Sequence, residues 1–593
     1  MKINTIYKSM AICSVLALAG CHDFEELNTN PYAPVYDPTI IGGTGEGIDI
    51  DYELSENALN SLKATESGAG ATFSNFVYEG LYNDYQTTTN LTHDIYAGYW
   101  GNNVGGFVTG SPTYSYNDGW SGSRWRHFYD DRSIAEYSQL IKTFWFCNKE
   151  YYHTAFHITR IYYAFLMSVQ TDTYGDIPIK YYVKGALPPE ENVEYSTQEE
   201  VYGMIFDILD QSITALHNVP NTSQYNFGDY DKCFAGDVSK WQRFANTLRL
   251  RLALRVSNVD PALAKEQGEK ALKDPAGLMK GQDDNMKQTP KRQYITGGNE
   301  NIYALLFSWT ANVVMPKEME WAYKNQTLNE GAVCDEVKDS LDLTVRFNSK
   351  SENCYLDPRC EVLWFRPTEF EKLRKENPEE SDKDFAGVRN GEKNIGGSYT
   401  TVYSPARCSV TSDVMNPKIW WNLAQEIIWM GYSESLFLKA EAALRGWEGV
   451  EESAKDLYLA GIRASMEYYQ IEEVKISEYI SRLNGVKAFD GSDREAQLEQ
   501  IITQKWIAVF PNGNEGWAEV RRTDYPRYML LPKDGNNSAG QVENDKLIKR
   551  ISYPNSESRN PNKPSDVTQG TKVWWDVSDT MEGGLWHKPN NFR

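Results

Sequence analysis

The sequence has no apolar run long enough to cross a bilayer. The longest, residues 10–19, falls well short of the roughly 20 residues that a hydrocarbon core of about 30 Å requires. Positive charge is scarce: 60 Lys and Arg stand against 82 Asp and Glu, a formal net charge of −22. So acidic a chain has neither the basic footprint of a nucleic-acid binder nor a polybasic membrane patch. Cysteine is sparse, with 8 in 593 residues and no C-x-x-C pair, which removes the basis for a zinc ribbon. His153 and His157 stand four apart on one helical face, but position 154 is Thr, so the general base of H-E-x-x-H is missing and no metal is expected. There is no G-x-S-x-G elbow and no Gly-Lys dipeptide, which excludes a nucleophile elbow and a standard P-loop. The glycines at 42, 43, 45 and 47 do not form G-x-G-x-x-G between a strand and a helix, so no dinucleotide or other cofactor is expected.

What is present begins with an address. Lys2 and Lys8 lead into the apolar stretch, and Leu18-Ala19-Gly20-Cys21 reads as a bacterial lipoprotein box. In that pattern residues 1–20 are removed and the Cys21 thiol is acylated, so the body hangs from a membrane by its lipid. Losing the two lysines takes the formal charge from −22 to −24. Asp23, Glu25 and Glu26 behind the cysteine resemble the acidic export signals of surface-displayed lipoproteins. Residues 21–60, broken by Pro31, Pro34 and Pro38, read as a tether and loop. Without Cys13 and Cys21, six cysteines remain in the body; Cys354 and Cys360 are the closest pair, and spacing alone leaves their pairing open.

From residue 61 onward no long Pro/Ser/Gly linker separates independent cores, which predicts one large, mainly α-helical domain over 61–593. Ile158, Ile161, Phe165 and Val169 form an apolar stripe closed by Gly175 and Pro178. Ser196-Thr197 with Glu199 and Glu200 predicts a helix start, followed by a buried face of Val201, Ile205, Ile208 and Leu209. Phe244, Leu248, Leu252 and Val256 form another stripe, with Arg249, Arg251 and Arg255 on a solvated or ion-paired face. A helix over 422–445 stopped by Gly446 and a second over 450–469 predict an αα-hairpin like a degenerate tetratricopeptide unit. Residues 275–415 are irregular, the place for a ligand-facing insertion.

Several segments together resemble one family. The lipobox followed by Asn28-Thr29-Asn30-Pro31, the run Thr171-Asp172-Thr173-Tyr174-Gly175-Asp176-Ile177-Pro178, residues 241–255, Leu356-Asp357-Pro358-Arg359, residues 431–445, residues 517–523 and Arg550-Ile551-Ser552-Tyr553-Pro554 are similar, in order, to the SusD/RagB family. The resemblance implies four tetratricopeptide-like helix pairs in a surface-exposed, lipid-anchored outer-membrane protein. It implies a binding protein and not an enzyme: one that captures glycans and serves as lid to a SusC-type TonB-dependent transporter. One branch of that family takes peptides, so an oligopeptide ligand is the alternative within it.

The residues support a glycan on their own terms. Aromatics reach 13% of the chain, and the loop clusters among them are the least explained by core packing. A sugar ring offers an apolar C–H face and a hydroxyl rim, which an aromatic ring and nearby amides match. Tyr99, Trp100, Asn102 and Asn103, set among Gly101, Gly105 and Gly106, together with Trp309, Trp321 and Tyr323 in the irregular region, are expected to form an open platform. A surface glycosidase on a helical scaffold is the enzymatic alternative. It would need two carboxylates facing each other across roughly 5–9.5 Å, and the Glu-Glu neighbours at 190, 199, 379, 451 and 472 are adjacent along the chain rather than opposed.

Overall fold

The computed structural model describes residues 50–593 except 63–64, 83–85, 102–110, 132, 187, 189–192, 289–300, 302, 305–312, 329–334, 339–343, 349, 370–382, 392–398, 408–420, 423–424, 528, 578–580, 583–584, 587–588 and 593. Its longer helices are α1 (Glu66–Tyr82), α2 (Ser133–Lys142), α3 (His153–Tyr174), α4 (Gln198–His217), α5 (Val238–Arg255), α6 (Pro261–Lys273), α7 (Lys317–Asn325), α8 (Tyr432–Arg445), α9 (Ala454–Tyr468), α10 (Glu473–Val486), α11 (Arg494–Val509) and α12 (Gly513–Thr523). Chain neighbours pack as pairs, α1 on α2, α3 on α4, α5 on α6 and α8 on α9, and α11 lies against α8. Strand content is small: β1 (Met286–Gln288) pairs antiparallel with β4 (Ile427–Met430), β2 (Asp335–Lys338) with β3 (Thr344–Phe347), and β5 (Met581–Glu582) with β6 (Leu585–Trp586).

Local chemistry sets the helix ends. Thr197 and Glu200 complete the reciprocal capping box that opens α4, satisfying two backbone N–H groups that the helix cannot. Gly446 ends α8 at φ 74°, a left-handed conformation that a side chain would strain. Gly461 on α9 has another role, because a Cβ there would come within 2.8 Å of the Phe437 ring on α8. The absent side chain lets the pair close. Two expectations are corrected. The helix expected over 422–445 does not run through residues 425–431: Ile427 and Ile428 are β-branched and pair with β1 as β4, and the chain turns into α8 only after Gly431. The end of the presumed tether is not all loop, since Glu56–Ser61 forms a helix capped by Ser55. Residues 1–49, with Cys21, lie outside the described residues.

The arginines of α5 are ion-paired, but they are buried rather than solvated. Arg251 grips Glu434 of α8 at 2.6 Å, and Arg255 reaches Glu515 of α12 at 2.6 Å. Lys505 of α11 sits 2.8 Å from Glu515 and 3.3 Å from Glu519, while Arg522 forks to Glu441 at 2.8 Å and Glu519 at 2.7 Å. Burial alone would push the Glu441 carboxyl up; Arg522 and Arg445 overcome that and hold it at about 2. His153 and His157 are structural as well, bonded to the Ala215 carbonyl at 3.0 Å and Ser212 Oγ at 3.2 Å, which fastens α3 to α4. Cys147, Cys233, Cys354 and Cys360 are free thiols.

Two stability predictions follow from these contacts. Arg522→Met leaves Glu441 and Glu519 buried without their fork, so chemical denaturation should show a loss of about 3–5 kcal/mol. Glu318 in the first turn of α7 is buried beside Gly98 and accepts from Leu530 N at 3.2 Å, and burial pushes its carboxyl up to about 7. A raised folded value means its stabilising share is complete below the unfolded value of 4.5 and is lost as pH rises through about 7. Glu318→Gln should therefore gain about 2–3 kcal/mol over the natural protein at pH 8 and almost nothing at pH 4, read from denaturation at the two pH values.

Candidate functional site

The structure places three of the expected platform residues inside the protein. Tyr99 is 0% exposed, its hydroxyl donating to the Trp506 carbonyl at 2.6 Å and its ring in edge contact with Phe510. Trp100 is 1% exposed, with ring centroids of Phe510 at 5.0 Å, Trp364 at 5.2 Å and Tyr303 at 5.9 Å. Tyr323 is also 1% exposed and accepts from Trp364 Nε1 at 3.4 Å. These are core side chains, which corrects the open platform at those positions. Trp321 is half-buried against the core. Asn102, Asn103 and Trp309 lie outside the described residues.

The glycine that suggested an exposed loop serves a close backbone contact instead. Gly101 N donates to the Val314 carbonyl at 2.8 Å, and a Cβ on Gly101 would sit 2.3 Å from Val388. A glycine beside an aromatic marks close approach, and here the approaching group is the protein's own chain.

A cleft opens next to this aromatic core. Tyr303, Trp421 and Phe510 form its aromatic wall, with Trp421 5.5 Å from Tyr303 and 6.1 Å from Phe510. Trp100 stands behind them, 6.3 Å from Trp421. Strand β4, the first turn of α8, and Tyr468 and Tyr469 at the end of α9 complete the lining. The space open to water is about 50 Å3, enough for a few waters and too little for a whole sugar ring in this conformation.

The lining is mostly apolar, and its polar groups carry no free charge. Glu426 pairs with Lys287 at 2.9 Å, and Glu434 is held by Arg251. Asn301 Nδ2 donates to the Gln425 carbonyl at 2.8 Å and Asn512 Nδ2 to the Trp429 carbonyl at 3.0 Å. Tyr303 and Tyr469 hydroxyls donate to Pro511 and Phe510 carbonyls, and burial pushes the Tyr468 and Tyr469 phenols above their ordinary value. The Tyr468 and Tyr469 phenols are therefore neutral at pH 7, and the surface offers ring faces, amides and carbonyls. Among the described residues no three metal-ligating side chains converge anywhere. The sequence reading missed Tyr303, Trp421 and Tyr468. The doublets Trp420-Trp421 and Tyr468-Tyr469 were the available signal, but nothing local distinguishes a cleft doublet from a core one. The burial of Trp100 carries a test: Trp100→Ala should cost about 3–5 kcal/mol and lower the melting temperature clearly, because it empties a packed aromatic cluster.

Comparison with known proteins places this architecture. The family model described as SusD-like, "Susd and RagB outer membrane lipoprotein", matches residues 51–325 and 351–588. No curated protein matches the chain. Among solved structures, a chitin-binding SusD homologue from Flavobacterium johnsoniae is 27% identical, with TM-score 0.67, over 87% of this chain and 99% of the other. A SusD homologue from Bacteroides vulgatus is 26% identical over 86% of this chain and 97% of its own, with TM-score 0.67. A third, from Parabacteroides distasonis, shares the fold at TM-score 0.68 and 24% identity, over 86% and 98%. With four pairs of chain-neighbour helices among the described residues and a family match covering most of its length, this chain belongs to the SusD-like family of outer-membrane lipoproteins.

Proposed function

We propose that this protein captures neutral oligosaccharides at the cell surface and passes them to a partner SusC-type TonB-dependent transporter, without catalysing a reaction. The observation that carries the reading is its likeness, along nearly the full length of both chains, to a SusD homologue described as chitin-binding. The cleft supports it chemically, since aromatic faces with satisfied amides around them suit C–H faces and hydroxyl rims and give no fixed charge for an ionic ligand. The same neutrality disfavours the peptide alternative, whose termini and charged side chains would meet no counter-charge there. In this reading residues 61–593 act as one body, and lipid on Cys21 supplies the attachment. No described helix is long and apolar enough to cross a membrane.

Binding can be measured directly. Titration of the purified protein with chitin oligosaccharides, other neutral glycans and mixed peptides should give roughly micromolar affinity for a glycan, about −8 kcal/mol, with no release of reducing ends. Tyr468→Ala, at a half-buried ring on the cleft, should weaken that binding about tenfold while the melting temperature barely moves. Binding confined to peptides would move the protein to the other branch, and release of sugar would make it an enzyme. Cys21→Ala should leave the outer-membrane fraction, and mild-detergent purification of the natural protein should recover a large β-barrel partner in near-equal amount. Recovery of this protein alone counts against the transporter assembly.

A further inference from the structure

The buried ion network contains one cation without a carboxylate. Arg521 of α12 forms no ion pair among the described residues. Its guanidinium donates to the neutral carbonyls of Asp172 and Lys549, both at 2.8 Å, and lies 3.7 Å above the Trp517 ring and 4.8 Å from that of Trp575. Burial lowers its pKa to about 9, still above neutral, so the charge is present at pH 7. The other basic groups of the network each meet a carboxylate within 4 Å, as Arg251, Arg255, Lys505, Arg522 and Arg445 do. Against these six cations stand the carboxylates Glu434, Glu441, Glu515, Glu519 and Asp172, one fewer, and Asp172 and Asp576 act on Arg521 only at longer range, so its buried charge is incompletely offset, which is costly.

Arg521 lines an internal cavity between α3, α5 and α12. Arg255 lines it too. Arg255 is fully buried and its Nη2 is committed to Glu515, yet among the described residues its Nε and Nη1 have no hydrogen-bond partner. The carboxylate nearest to Nη1, Asp172 Oδ2, lies 3.9 Å away, beyond hydrogen-bonding reach. The Oδ1 of Asp172 is occupied by Tyr202 and Trp575. His93, on the same wall, is held neutral by burial and by Arg124 and Arg521, so it adds no charge. Arg255, with its two unpartnered N–H groups, and Arg521 thus both line about 20 Å3 of space, beside the carboxylates of Asp172 and Glu515, and that space admits one or two water-sized particles.

We infer that this cavity is a binding site for one small monovalent anion of the halide class, held by Arg255 Nε and Nη1 and by the charge of Arg521. Size and charge both select it: a halide fits where sulfate or an organic acid does not, and water would satisfy the N–H groups while leaving the excess charge in place. The ion would fix α5 against α12 and α3 where the network is not self-sufficient.

Thermal unfolding in sodium chloride, bromide and gluconate at equal ionic strength tests the site. A saturable, halide-specific rise of about 2 °C is expected at a hundredfold excess over the dissociation constant, the size set by the large unfolding entropy of so long a chain. Asp172→Asn, which keeps the Oδ1 acceptor and removes the competing carboxylate, should bind halide more tightly, so its melting temperature saturates at lower chloride. Arg521→Gln should abolish the halide-specific rise. If that variant fails to fold, the natural protein crystallised in bromide decides: an anomalous peak in contact with Arg255 Nη1 is expected. Equal melting in all three salts, a halide effect that survives in Arg521→Gln, or cavity density with no bromide signal would each overturn the site.

Discussion

The structure depends on carboxylates and cations that have been taken out of water together. Lys505, Glu515, Glu519 and Arg522 bring α11 and α12 to one point, and Arg251 and Arg255 of α5 and Glu434 and Glu441 of α8 close around it. Each such charge costs several kcal/mol to bury, and that cost is offset only where partners stand within a few ångströms and in the right direction. Apolar contacts tolerate a slide of half an ångström. A bidentate guanidinium fork does not, so the network fixes helix register more sharply than the aliphatic core alone could. Its price is borne by every variant that removes one member.

Helix α11 links that network to the candidate site. Lys505 enters the ionic cluster, and the next residue, Trp506, packs on Tyr99 at 4.9 Å and receives the tyrosine hydrogen bond at its carbonyl. Phe510, just past the helix, stands between Trp100 and Trp421 and so forms part of the cleft wall. The wall is therefore anchored through three layers: charges, then Tyr99 and Trp100, then Tyr303, Trp421 and Phe510. A ligand surface built this way is rigid where it is buried. Adaptation falls to Tyr468, which is only half-buried.

Helix pairs were legible in the sequence because their signals are local. The capping box at Thr197 and Glu200 and the stop at Gly446 depend on neighbours a turn away, and the structure contains both. Ile427–Met430 reads as helix from sequence because an apolar run of four residues carries no period, and only β1, more than a hundred residues upstream, makes it a strand. The arginines of α5 could be assigned to an ion-paired face but not to burial, since their carboxylates come from α8 and α12. Trp100 failed for the same reason: Tyr303, Trp364, Trp421 and Phe510 cover it, each distant in sequence. Local composition shows that a ring sits beside a glycine. It does not show what occupies the other side of the ring.

The acidity of the chain and the neutrality of the cleft act at different ranges. At physiological ionic strength the Debye length is about 8 Å, so the net charge, −22 for the full sequence and −24 without residues 1–20, is felt by an approaching ligand chiefly through the nearest surface carboxylates. An anionic glycan would meet that repulsion on the way in and find no free cation among the described residues of the lining, because Lys287 is bound to Glu426 and Arg251 to Glu434. A neutral glycan meets neither penalty. Its binding must then come from ring faces, each stacking pair contributing about 1 kcal/mol beyond burial, and from wet hydrogen bonds that contribute modestly. Affinity assembled from such terms stays in a range where release is fast, and fast release is what a capture protein needs if a transporter is to take the ligand from it.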